Sequence, residues 1–202
     1  MTAPGRARTP LADLLSLVWR RLPRLRRFVI SSCPPDASSR GALDSLGCHL
    51  VEMYPRNLYL AARFRKPQVI KLLSDYLERG VRGWYAMKGP EVVGYGMLAV
   101  PQSAPQTVRR VIVHPGEAAP ILFYIRPSFR SSGVATALLR ELKAVASDDP
   151  SVSRLVAWTI PSNAASRRIQ AKAGFAPAGG LWIFEFRGRP VFRYVFGSTV
   201  KR

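Results

Sequence analysis

The residues best suited to chemistry lie between Ile121 and Ala135, which read Ile-Leu-Phe-Tyr-Ile-Arg-Pro-Ser-Phe-Arg-Ser-Ser-Gly-Val-Ala. An apolar run ends at Pro127, a loop of small residues follows, and a helical pattern runs from Thr136 to Ala146. A strand that feeds such a loop and then opens a helix makes backbone N–H groups available to a phosphate. The first N–H groups of a helix have no intrahelical partner, and the positive end of its dipole favours an anion. Gly133 lets a ligand come close to the backbone where a side chain would block it. Arg130 adds a permanent charge with several donors, and Ser131 and Ser132 add hydroxyls. The chemistry predicted from these residue types is the binding of a phosphate-bearing ligand.

A second segment, Asn163-Ala-Ala-Ser166-Arg-Arg-Ile-Gln170-Ala-Lys-Ala-Gly174-Phe175, reads as a complete short helix. Ser162 and Asn163 supply capping groups, Ala165, Ile169 and Ala173 recur at helical spacing, and Gly174 suits a left-handed C-terminal position.

Together the two segments resemble the GNAT superfamily of acyl-CoA N-acyltransferases. That family's acyl-CoA loop, Arg/Gln-x-x-Gly-x-Gly/Ala, is met by Arg130, Gly133 and Ala135, with Ile125, Pro127 and Phe129 as the lead-in. Its later Asn-x-x-Ala/Ser helix ending in Gly-Phe is met by Asn163, Ser166, Gly174 and Phe175. The resemblance covers roughly residues 82–196. It implies an α/β fold with a mixed, largely antiparallel central sheet flanked by helices. It also implies an enzyme that moves an acetyl or other short acyl group from acyl-CoA to a primary amine, with no metal. The pyrophosphate would sit on Arg130, Ser131, Ser132, Gly133, Val134 and Ala135. The pantetheine arm would run beside Phe123 and Ile125, and Asn163, Ser166 and Gln170 would face the cofactor from the later helix. The thioester carbonyl would be polarised by a backbone N–H around Tyr124–Arg126.

Two departures from the pattern matter. The family often places a tyrosine seven residues after the motif asparagine, where it protonates the leaving thiolate; this chain has Gln170, which cannot act as an acid at neutral pH. Tyr124 and Tyr194 are the alternatives. Ser131 replaces the loop's usual extra glycine. For the base, Glu117 in a Pro-Gly-Glu turn and His114 just before it are both open. Cys33 and Cys48 have no neighbouring base or metal spacing and read as reduced, structural thiols.

The elements that must hold these residues follow from pattern. Gly83–Lys88 and Val92–Val100 alternate around Gly89-Pro90-Glu91 as a hairpin. Ala119–Ile125 is the central strand, Arg154–Thr159 the next, and Leu181–Phe186 with Val191–Phe196 a closing hairpin. Residues 40–80 read as acceptor-side helices, patterned near Leu43–Met53 and Pro67–Leu77, where Tyr54, Arg56, Tyr59 and Arg63 are acceptor contacts to consider. Arg27–Ile30 is a first strand, followed by a loop from Ser31 to Ser39.

Residues 1–30 form a basic amphipathic extension to the domain of residues 31–202. Its helix starts at Thr9-Pro10 and sets Leu11, Leu14, Leu15, Val18, Leu22 and Leu25 on one face. The chain of 202 residues carries a formal charge of +19, mostly arginine, with 48% hydrophobic residues and no apolar run near the roughly 18–20 needed to span a bilayer. These numbers predict a cytoplasmic protein, one that could lie peripherally on an anionic membrane, with an attraction to polyanions. An anionic acceptor suits the charge. A nucleic-acid-associated module of the same fold with weak catalysis is the alternative, since residues 154–202 interleave arginines with Trp182, Phe184, Phe186, Phe192, Tyr194 and Phe196.

Overall fold

The computed structural model describes residues 24–100, 107–108, 111–186 and 189–197. Ten strands are present among them: β1 Arg24–Cys33, β2 His49–Met53, β3 Arg82–Lys88, β4 Glu91–Ala99, β5 Thr107–Val108, β6 Val111–Ile112, β7 Glu117–Ile125, β8 Arg154–Thr159, β9 Ala176–Phe186 and β10 Arg189–Phe196. The helices are α1, a single turn at Tyr59–Ala62, α2 Pro67–Glu78, α3 Val134–Ser147 and α4 Ala164–Lys172. Eight strands form one sheet in the order β10-β9-β1-β8-β7-β4-β3-β2, and β5 pairs with β6 apart from it. Every pairing in the large sheet is antiparallel except β7 with β8. The mixed, largely antiparallel sheet with flanking helices expected from the sequence is therefore present.

Periodicity explains how the helices cover both faces. In α2, Val69, Ile70, Leu73, Tyr76 and Leu77 fall three and four apart and pack with Met53, Tyr85 and Tyr95 on one face of the sheet. In α3, Leu139 and Leu142 pack with Leu98 and Leu155 on the other, beside Val134, Ala137 and Leu138, which meet Val93 and Ile125. β4 lies between the two layers, and its residues are buried without a break from Val92 to Ala99. A strand covered on both faces must be continuously apolar rather than alternating, and Val-Val-Gly-Tyr-Gly-Met-Leu-Ala is.

Three expectations change. The helix expected near Leu43–Met53 is a short 3-10 turn, Asp44–Leu46, followed by strand β2. Gly47 adopts a left-handed conformation (φ 63°) and stops the turn, and the Cys48 N–H donates back to Leu43 O; residues 49–53 then pair with β3. The first strand begins at Arg24 and ends at Cys33, extending the expected Arg27–Ile30 at both ends. Leu25, expected on the apolar face of the N-terminal helix, is opposite Phe184 in the sheet instead. The rest of that helix, from Thr9 to Leu22, lies outside the described residues. The helix expected near Pro67–Leu77 is present as Pro67–Glu78, and the hairpin of β3 and β4 and the closing pair β9–β10 are present, with β9 starting at Ala176 rather than at Leu181.

Candidate functional site

The site begins where sheet pairing fails. β7 and β8 are paired only at Glu117 with Arg154 and Ala118 with Leu155. β7 continues to Ile125 and β8 to Thr159, yet no further pairs join them. The second half of β7 is thus held by β4 on one side and leaves its other edge to a partner.

That same stretch is irregular. β4 and β7 pair at Tyr95 with Tyr124 and at Met97 with Ile121, so Leu122 and Phe123 together face Gly96 in a bulge. Leu122 has φ 47°, rare for a side chain of its size. Strain of this kind persists only where the surroundings enforce it, and it concentrates at functional positions. The bulge also resets the alternation of side chains. Ile121, Leu122 and Tyr124 join the layer under α2, while Phe123 and Ile125 turn to the layer under α3.

Beyond β7 the chain makes a 3-10 turn, Pro127–Phe129, closed by the Arg130 N–H on Pro127 O at 3.2 Å. Ser131 and Gly133 follow with φ 65° and φ 88°. Ser131, which stands where the family has glycine, takes the left-handed conformation a glycine would take. The Ser132 hydroxyl donates to Phe129 O at 2.7 Å and ties the loop to itself. Gly133 caps α3 without a side-chain hydrogen bond, so the first N–H groups of the helix stay open to an anion. Ser131, Ser132 and Gly133 are exposed, Val134 is buried beneath them and Ala135 is half-buried. Arg130 is exposed and carries its charge at the loop's start.

α4 is fastened to α3. Arg140 donates to Lys172 O at 2.9 Å, and the buried Lys143 ammonium donates to Ala173 O at 3.1 Å and faces Asp36 at 3.6 Å. Two cations thus satisfy carbonyls at the C-terminal end of α4, where the helix dipole is negative. Asn163 serves as the N-cap of α4, its Oδ1 accepting from the Ser166 N–H at 3.0 Å. Gln170 is buried; its Nε2 contacts Ser166 Oγ at 3.4 Å, and its Oε1 has no hydrogen-bond partner among the described residues.

The sequence-derived residues divide accordingly. Phe123, Tyr124, Ile125, Arg130, Ser131, Ser132, Gly133, Val134 and Ala135 form one continuous strand end, loop and helix start. Asn163, Ser166 and Gln170 share one face of the helix fastened beside it. Glu117 is not brought to Tyr124. It stands at the opposite end of β7, seven residues or roughly 20 Å away, and it is 4% exposed. Its carboxylate is held by Arg154 and by the His114 N–H at 3.0 Å. Breaking such a buried pair leaves an uncompensated charge at a cost of about 3–5 kcal/mol, so this geometry suits a fixed strand start.

His114 is exposed in the same turn. Tyr194 is 50% exposed on β10, four strands or about 19 Å from β7. Arg126, whose N–H was one of the expected carbonyl donors, gives that N–H to Val93 O at 2.9 Å. Both cysteines are free and buried. Burial pushes the Cys33 thiol up to about 12, against the nearby Lys143 charge that lowers it, so its thiolate is scarce at neutral pH.

One site residue escapes the sequence. Arg65, between α1 and α2, places its guanidinium 4.0 Å from the centre of the Tyr124 ring and 5.8 Å from that of Tyr95. Phe64 and Tyr95 also stack on Tyr124, with ring centres at 6.0 and 5.6 Å. In an arginine-rich chain no motif distinguishes residue 65; only the tertiary fold does.

Residues 48–175 match the model of the acetyltransferase (GNAT) family. Solved structures of the same fold include the following. One is a tandem GNAT protein from the clavulanic acid biosynthesis pathway, 14% identical over 92% of this chain and 61% of that one, with a TM-score of 0.52. Another is a glucosamine N-acetyltransferase region of a fungal multi-domain GH3 β-N-acetylglucosaminidase, 8% identical over 86% of this chain and 22% of that one, at 0.59. The third is AAC(6')-Ib in complex with ribostamycin and coenzyme A, 19% identical over 70% of this chain and 94% of that one, at 0.52. The chain spans less than two thirds of the length of the first two. No curated protein matches it.

Proposed function

Because the chain belongs to the acetyltransferase (GNAT) family, we propose that it transfers an acetyl group from acetyl-CoA to a primary amine. The observation that carries this reading is the junction of a bulged, half-unpaired strand with an anion-ready loop. The left-handed backbone at Ser131 and Gly133, the uncapped start of α3 and the exposed Arg130 fit a pyrophosphate. The open edge of β7 fits an extended chain of amides such as pantetheine. Acetyl-CoA supplies the activated carbonyl.

In this reading the residues of the chain divide the work. The bulge at Leu122–Phe123 frees backbone groups to polarise that carbonyl. An alkylammonium has a pKa near ~10 and must lose its proton before it can attack; with Glu117 engaged by Arg154, water at the strand end takes it. The Tyr124 phenol, half-buried between Phe64, Tyr95 and Arg65, protonates the departing sulfur in place of the tyrosine that Gln170 replaces.

Calorimetry on the whole protein tests the cofactor, and acetyl release with a panel of amines tests the reaction. The Tyr124→Phe variant keeps the ring stack and is expected to lose about 10²-fold in kcat, with acetyl-CoA affinity changed by no more than about twofold. Absence of acetyl-CoA binding by the wild type would overturn the reading. An unchanged kcat in Tyr124→Phe would remove the phenol from it.

One observation favours a second reading, nucleic-acid association. The outward face of β1, β9 and β10 carries the row Leu25–Phe184–Phe192 and the row Arg27–Trp182–Tyr194. Phe192 is 60% exposed, and Arg27 lies over Trp182 at 5.6 Å. If bases stack there, the double variant Phe192→Ala, Tyr194→Ala weakens single-stranded RNA binding at physiological salt by about tenfold or more. Equal binding by both proteins, with a steep salt dependence, would reduce the interaction to charge alone.

A further inference from the structure

We propose that the Arg65 guanidinium receives the anionic group, a carboxylate or a phosphate, of the amine acceptor. The proposal rests on the reading of the bulged end of β7 as the transfer site. Arg65 is fixed by its backbone, whose N–H donates to Ala61 O at 2.9 Å just before α2. Its charge lies on the face of Tyr124. A guanidinium laid on aromatic rings satisfies its π faces and directs its hydrogen-bond donors outward in its own plane.

Those donors find nothing in the described chain. Nε is buried without a hydrogen-bond partner, and none of the ion pairs among the described residues includes Arg65. Its neighbour Arg126 shows the contrast. Arg126 also lies near Phe64, at 5.4 Å, but Glu91 neutralises it and Val92 O accepts from it at 3.1 Å. One arginine beside Phe64 is engaged in joining β4 to the strand end, and the other has no acceptor among the described residues. A planar fork of N–H groups matches the two oxygens of a carboxylate or a phosphate.

The position selects the acceptor rather than the acyl donor. Tyr124 and Arg65 belong to the α2 side of the sheet, whereas Phe123 and Ile125 turn toward α3, which the cofactor loop opens. An amine anchored by its anionic group at Arg65 therefore reaches the bulge from the face opposite α3. A chain with a formal charge of +19 also gathers anionic molecules before any specific contact forms.

The test uses the whole protein saturated with CoA, so that the loop is already filled. Sodium phosphate and sodium malonate are titrated separately against chloride at equal ionic strength, and the Arg65 Nε–H is followed by nuclear magnetic resonance. Saturable movement of that signal with phosphate or with malonate identifies which anion the fork takes. Followed by calorimetry in the same buffers, because the variant has no Nε–H, Arg65→Met is expected to weaken that anion at least about tenfold, while CoA affinity changes by no more than about twofold. Arg65→Lys retains the charge without the fork and falls between. The proposal is overturned if neither anion moves the signal beyond chloride, or if Arg65→Met binds as tightly as wild type. Repeating the titration in Gly133→Glu, without CoA, separates the two readings. Anion binding at Arg65 persists there if this proposal holds, whereas failure of the wild type to bind CoA would overturn the acyl-transfer reading alone.

Discussion

Titrated with acetyl-CoA, the Gly133→Glu variant is expected to bind at least about 100-fold more weakly than wild type while still folding. The two halves of that expectation rest on different observations. Folding survives because there is room: a Cβ at Gly133 would meet nothing nearer than Leu46 Cδ1 at 3.7 Å. The positive φ of 88° still imposes a backbone penalty of roughly 1–2 kcal/mol on any side chain. Binding fails because the carboxylate lies beside the open N–H groups at the start of α3 and competes with a phosphate for them. Each charge-assisted hydrogen bond lost is worth about 1.5–3 kcal/mol, and two of them exceed the roughly 2.8 kcal/mol of a 100-fold change. Gly133→Ala carries the same backbone penalty without the charge. It should bind within about tenfold of wild type at one decade per 1.4 kcal/mol. Equal losses in the alanine and glutamate variants would mean that the glycine serves the loop's shape and that no pyrophosphate sits there.

The parts of the molecule legible in the sequence are those where local chemistry decides structure. A left-handed glycine followed by a helical pattern announces the loop at Gly133. An asparagine cap and a terminal Gly-Phe announce α4, and Gly89-Pro90 between two apolar runs announces the β3–β4 hairpin. Residues 43–53 misled because their apolar spacing suits a helix as well as a strand. The arbiter was Gly47, whose left-handed turn ends one element and lets His49–Met53 pair with β3.

Glu117 shows a different limit. Its place in a turn before the central strand is readable, but the Arg154 that engages its carboxylate comes 37 residues later and meets it only through the parallel pairing of β7 with β8. Arg65 and the bulge at Leu122 are tertiary in origin. Neither has a local signature, because each depends on which strand or ring lies opposite. The exposed aromatic face of β9 and β10 reverses the usual expectation that alternating aromatics point inward. β9 turns Leu181, Ile183 and Glu185 to the interior and leaves Phe184 and Phe186 outside.

A substitution that touches no ligand yet acts on the site is available at Gly94, which lies opposite Ile125 in the β4–β7 pair. A Cβ at Gly94 would come within 2.8 Å of Tyr124 O and 2.5 Å of Ile125 Cδ1. The second atom belongs to a side chain that can rotate away; the first is backbone and cannot move without moving the strand. Gly94→Val must therefore push β7 from β4 at the residue that carries the Tyr124 phenol, just beyond the bulge. Overpacking of this kind costs about 1–3 kcal/mol, which for a chain of this length lowers Tm by about 2–4 °C per kcal/mol. Catalysis is the more sensitive quantity, since a displacement of about 1 Å at a reacting group can cost 10²-fold in rate. Acetyl transfer by Gly94→Val is accordingly expected to fall by about 10²-fold at a temperature where circular dichroism still shows a folded protein. Gly89→Ala is the control. Unlike Gly94, Gly89 has a positive φ, at 55°, and a Cβ there meets nothing within 4 Å, so Gly89→Ala carries a backbone penalty of roughly 1–2 kcal/mol and should keep its rate. If Gly94→Val loses only stability, β7 tolerates displacement at Tyr124, and the reacting geometry must be set on the other side of the open edge, by β8 and α4.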